Sequence, residues 1–152
     1  MPIIEEFARR SALSWMSPEE LLEVFAATKT IAVVGASAHD WKDAHRIPGY
    51  LQQAGYRILP VNPNQDRVLG EPTYGALEEL AVGVDMVLVF RPSSEAAALA
   101  RAAIGTGAKV LWFEPGTATE EAARIAQAAG MAVVKGRCIE ITHRGVLDRL
   151  EA

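Results

Sequence analysis

Five short apolar runs, each followed by a stretch of helical spacing, constrain this chain more than any other feature. They are Thr30–Gly35, Tyr56–Val61, Asp85–Phe90, Lys109–Phe113 and Met131–Val134. Each is nearly continuous in hydrophobicity rather than alternating. A strand that exposes one face alternates, whereas a parallel strand covered by helices on both faces does not. Between the third and fourth runs, Ala96, Leu99, Ala100, Ala103 and Ile104 fall on one helical face. Between the fourth and fifth, Ala122, Ile125, Ala126 and Ala129 do the same. Ser17 with Glu20, and Thr117 with Glu120, have the spacing of a capping box, and Pro18 suits a first helical position. Gly55, Gly107 and Gly130 stand where a left-handed cap ends a helix before the next strand.

The pattern predicts an α/β domain with a doubly wound, five-stranded parallel sheet, Rossmann-like, flanked by helices. The expected strand order is 3-2-1-4-5, which puts a crevice at the carboxyl ends of strands one and four. A leading helix is expected over about 17–27, the core over about 30–135 and a trailing helix over about 139–150, all in a single domain of 152 residues.

Half of the residues are hydrophobic, 22% are charged, and the net charge is −4. That balance argues against nucleic acid as partner, because neutralising many phosphates needs clustered Lys and Arg. The single cysteine, Cys138, rules out an internal disulfide and fits a reducing compartment. No run approaches the roughly 18 apolar residues of a membrane span, and the first residues do not read as a signal peptide. A cytoplasmic protein is expected, with no membrane partner.

The turn that leaves the first strand, Gly35-Ala36-Ser37, is the most informative segment. In Rossmann domains this turn brings backbone close to a diphosphate at a helix N-terminus. Gly35 tolerates positive φ, Ala36 is small, and Ser37 offers a hydroxyl, but the full glycine fingerprint is absent; a plain strand-to-helix turn is the alternative. At the end of the second strand stands Asn62, followed by Pro63. Many NAD-binding domains have a carboxylate near there. A neutral Asn suits a ribose that bears its own phosphate, and equally a simple turn. Lys42, Arg46, Arg67 and Arg91 follow three of the strands closely and are candidate phosphate contacts; Arg91, between a strand and a helix start, is the best placed.

These residues carry a resemblance. The segments IAVVGAS (31–37), GYRILPVNP (55–63) and VDMV (84–87) with Phe90-Arg91, and the end near Arg137-Cys138-Ile139, resemble the small stand-alone CoA-binding domain proteins over residues 30–143. The resemblance implies a fold related to the CoA-binding domain of the succinyl-CoA synthetase α subunit. It implies coenzyme A or an acyl-CoA as the small-molecule nucleotide ligand. Gly35, Ala36 and Ser37 would lie at phosphate, Asn62 and Pro63 beside the adenosine, and Arg91 and Pro92 at the cleft border, with Arg46 a further contact. The family's usual glutamine after the fourth strand is replaced by Glu114, and a carboxylate facing a diphosphate is unfavourable unless paired or turned away.

The ligase relatives phosphorylate a histidine in a further domain that has no counterpart here, so a binding module not catalytic on its own is expected. An NAD(P)-binding protein of oxidoreductase type, and an accessory subunit of an acyl-CoA ligase working with a protein partner, are the alternatives. His39, His45 and His143 lack metal-ligand spacing and read as surface or loop residues, so no metal site is expected. Cys138 reads as structural, with a helix N-terminus near enough to lower its pKa as the other possibility. Trp112 and Phe113 read as core.

Overall fold

The computed structural model describes residues 16–151. The parallel strands are β1 (Thr30–Val34), β2 (Arg57–Val61), β5 (Met86–Val89), β6 (Val110–Phe113) and β7 (Ala132–Val134); a two-stranded hairpin, β3 (Arg67–Val68) and β4 (Glu71–Pro72), lies between β2 and β5. The helices are α1 (Pro18–Ala27), α2 (Asp43–Gln53), α3 (Ala96–Ile104), α4 (Glu120–Ala128) and α5 (Ile139–Glu151).

Side chains alternate between two cores because the sheet is covered on both faces. One core joins Ile31, Val33, Met86, Leu88 and Trp112 to α1, α2 and α5. The other joins Ala32, Val34, Val87, Val89 and Phe113 to α3 and α4. Trp112 and Phe113, adjacent in sequence, therefore point to opposite sides, and both are fully buried.

Ser17 and Glu20 form the expected capping box on α1, with Pro18 as its first residue. Gly55, Gly107 and Gly130 have positive φ. The second expected box does not form. Thr119, not Thr117, caps α4 by accepting from Ala122 N at 3.0 Å, while the Thr117 hydroxyl turns back to the Glu114 carbonyl. Ala129, expected on the inner face of that helix, lies beyond its end and is exposed, and Ile104 of α3 is exposed too, at 38%.

The expected α/β class holds, and the sheet differs from the expected order at one place. Counted along the chain, its five parallel strands run 2-1-3-4-5, so the third strand, β5, pairs with β1 instead of lying outside β2. Two contacts explain this. The Asp85 carboxylate accepts from Lys29 N at 2.9 Å and Thr30 N at 3.0 Å, which stitches the entry of β5 to the entry of β1. The slot outside β2 is already taken: Tyr74 N donates to Pro60 O, and Asn62 N donates to Tyr74 O. The chain thus reverses direction between β1 and β5, and the crevice falls at their carboxyl ends rather than between the first and fourth strands.

His143 is buried on α5, contrary to its reading as a surface residue. Its ring makes edge contacts with Phe25, Tyr50 and Tyr56, and Nδ1 lies 2.6 Å from the Tyr50 hydroxyl. Arg144 stacks over the outer face of Tyr50. Burial, and then the Arg144 charge, hold the His143 pKa below its ordinary value.

Asp85→Ala leaves two strand-entry N–H groups without their charged acceptor and should lower unfolding free energy by about 1.5–3 kcal/mol, measured by urea denaturation. Because folding depresses the His143 pKa, its contribution to stability is complete above the unfolded value of 6.5 and declines as pH falls below it. Thermal unfolding from pH 8 to 5 should show a steeper acid-side loss in the wild type than in His143→Gln.

Candidate functional site

The carboxyl ends of β1, β2 and β5 open into a cleft of about 320 Å³ that brings Gly35, Asn62, Pro63 and Arg91 together. Its remaining wall comes from the 75–78 segment and from Glu95 and Leu99 at the start of α3.

Gly35 is required twice over. Its φ is +86°, and a Cβ there would lie 2.9 Å from Arg91 Cδ and 3.3 Å from the Phe90 carbonyl carbon. The aliphatic stem of Arg91 therefore lies across the turn. Its guanidinium grips Glu95 through two bonds, Nε to Oε1 at 3.2 Å and Nη2 to Oε2 at 2.7 Å. That pairing raises the Arg91 pKa and lowers that of Glu95.

Asn62 ties the floor of the cleft together. Its Nδ2 donates to the Ala36 carbonyl at 2.8 Å, and its Oδ1 accepts from Asn64 N at 2.8 Å. The turn expected from Asn62-Pro63-Asn64 is present, and the same side chain braces the first turn against the second. Ala36 is fully buried. Of the backbone donors in the first turn, Gly35 N is given to Val61 O and Ser37 N to Ala44 O. The Ser37 hydroxyl oxygen accepts from His39 N at 3.0 Å, which leaves its own proton to donate.

Arg46 is not part of this cleft. It sits on α2, with Nη1 2.5 Å from Glu140 Oε1 and Nη2 3.1 Å from Asp43 Oδ1, joining α2 to α5. Pro92 is exposed and leads into the short helical turn Ser93–Glu95 without lining the cleft. Lys42 precedes α2, and Arg67 donates to Gly70 O inside the hairpin. Arg91 is the one of these four cations that lines the cleft.

Glu114 is turned away from it. Buried at the end of β6, its carboxylate accepts from Ile139 N at 2.8 Å and so caps α5. Burial raises its pKa, offset in part by that N–H and by hydrogen bonds with Cys138 and Trp112. Cys138 lines a different groove, with Pro18 and Ile141. Burial pushes its thiol pKa up and Glu114 adds to the rise, so the lowered value considered from the helix N-terminus does not arise. Among the described residues no group of three or more His, Cys, Asp or Glu is placed to hold a metal ion, and no helix is long and apolar enough to cross a membrane.

Sequence reasoning missed Glu78, Glu95 and Leu99. Glu95 had a signal, since it follows Arg91 at the spacing of a helical ion pair. Glu78 had none, because its place depends on how the segment between β2 and β5 crosses the sheet.

The profile of a family described as "CoA binding domain" matches residues 29–144. The chain belongs to the CoA-binding domain family. YneT of Bacillus subtilis, an uncharacterized protein, is 35% identical over 127 residues, spanning 84% of this chain and 94% of the relative. A hypothetical protein from Pyrococcus horikoshii has a solved structure with a TM-score of 0.84 at 33% identity, covering 87% of this chain and 93% of that one. The dinucleotide-forming acetyl-coenzyme A synthetase 1 of Ca. Korarchaeum cryptofilum aligns with a TM-score of 0.63 at 27% identity, over 74% of this chain and 27% of that one.

Gly35→Ala should cost roughly 1–3 kcal/mol through the left-handed backbone alone, and it displaces Arg91 as well. Chemical denaturation should read the first effect. Loss of the Arg91–Glu95 pair from a crystal structure of the variant should read the second.

Proposed function

We propose that the chain binds coenzyme A, or an acyl-CoA, as a binding module, with the phosphate-bearing part of the ligand in the cleft at the ends of β1, β2 and β5. The observation that carries this reading is Arg91, whose stem lies over the Gly35 turn and whose guanidinium lines the cleft at the point where the chain reverses direction across the sheet. A planar fork of donors suits phosphate oxygens, and a glycine without Cβ allows them close to backbone. Leu77, Leu99, Val34 and Val61 supply apolar wall beside these polar groups. The cleft is near the small end of the roughly 300–1,000 Å³ range for ligand pockets, room for part of an extended cofactor rather than all of it. Family membership and the likeness to an acetyl-coenzyme A synthetase support coenzyme A among the possible diphosphate nucleotides.

In this reading Arg91 pairs with phosphate, Gly35 permits its approach, and Asn62 and Pro63 border the adenosine, held in place by the bond from Asn62 to Ala36. Ser37 is a secondary donor. Glu114 offers no repulsion of the kind its sequence position suggested, since it is engaged at α5. A nicotinamide dinucleotide is the second reading, and the carboxylate of Glu78 on the cleft wall favours it, because such a group accepts from unphosphorylated ribose hydroxyls.

Calorimetric titration with CoA, dephospho-CoA, NAD and NADP separates the two. CoA should bind saturably and more tightly than the dinucleotides, and Arg91→Gln should weaken it by about tenfold or more. Preference for NAD, or CoA affinity unchanged in Arg91→Gln, would reject the reading.

A further inference from the structure

The cation of the cleft is already occupied by an anion from the same chain. The two bonds between Arg91 and Glu95 are the pair of parallel contacts that a guanidinium otherwise gives to phosphate. In making them, the Arg91 stem crosses the Gly35 turn where a phosphate would approach. We propose that Glu95 is a built-in competitor for the ligand: its carboxylate holds the Arg91 fork, and a phosphate binds by displacing it. The proposal rests on the CoA reading above and adds how that site is regulated and tuned.

A contrast within the molecule supports it. Arg46 and Arg144 both pair with Glu140, whose side chain is only 12% exposed, so that network joins helices. Arg91 and Glu95 are 47% and 42% exposed, within reach of solvent and of any molecule entering the cleft. An exposed pair of this kind exchanges partners readily and contributes little to folding. Glu95 is also fixed where it can act: its backbone N donates to Pro92 O at 2.9 Å, closing the short turn that carries it beside Arg91. The competitor sets a threshold, since only a ligand with an anionic group able to replace the carboxylate gains the guanidinium. A neutral nucleoside does not.

Titration of the full chain with CoA, for wild type, Glu95→Gln, Glu78→Gln, Arg91→Gln and the Arg91→Gln/Glu95→Gln double variant, tests this. Glu95→Gln keeps the side-chain shape and should bind CoA about fivefold more tightly, the scale set by an exposed ion pair. Glu78→Gln removes a carboxylate that lines the same cleft without holding Arg91, so it should gain far less. In the Arg91→Gln background the gain from Glu95→Gln should vanish. Equal CoA affinity in wild type and Glu95→Gln would overturn the competitor and leave the CoA reading intact. So would equal gains from Glu95→Gln and Glu78→Gln, which would mark a general charge effect. No CoA binding by any variant would overturn both.

Discussion

Burial of the parallel sheet on both faces is the constraint on which the rest of this structure depends. Strands covered on either side have no polar face to show to solvent, so their edges and ends carry all the chemistry. The helices complete the cover: α1, α2 and α5 on one side, α3 and α4 on the other. What remains open is the rim where β1, β2 and β5 end, and Gly35, Asn62 and Arg91 are gathered there by the sheet alone.

Much of this was legible in the sequence. Five continuous apolar runs gave the five parallel strands within a residue or so, because continuous burial leaves no other pattern for them, while the short hairpin β3–β4 had no such run and was not foreseen. The neighbour of β1 was not legible, since hydrophobic period reports burial and not adjacency. Adjacency was decided by the carboxylate of Asp85 and by Tyr74 occupying the edge of β2. Of the cations proposed for phosphate, Arg91 was the best placed in sequence, and Arg46 was a further candidate. The difference lies in what surrounds them: the first faces Glu140 across two helices, the second leans over a glycine. His143 was misread, and the direction of Glu114 was left open, for one reason. Each is a polar residue buried with its partner far away in sequence, a Tyr50 hydroxyl and an Ile139 N–H respectively.

The charge layout is economical for a net acidic protein. Of the acidic groups that would oppose an anionic ligand, Glu114 and Glu140 are engaged in capping and bracing and Glu95 is set against Arg91, while Glu78 stands on the cleft wall. Local pairing, rather than overall charge, then decides what can enter.

The two helical layers differ in grain. On the side of α3 and α4, the fully buried residues that the helices turn to the sheet are Ala96, Ala100, Ala103, Ala122, Ala123 and Ala126, with Leu99 and Ile125 packed at their margin. On the other side the same task falls to large side chains such as Phe25, Leu51 and Ile139. Large side chains can trade volume with one another, but buried alanine methyl groups have little to trade. Any enlargement there must lift a helix from the sheet, and α3 begins at the residue after Glu95. Substitutions that add volume are therefore expected to be absorbed on one flank of the domain and to disturb the other, the flank from which the cleft wall is hung.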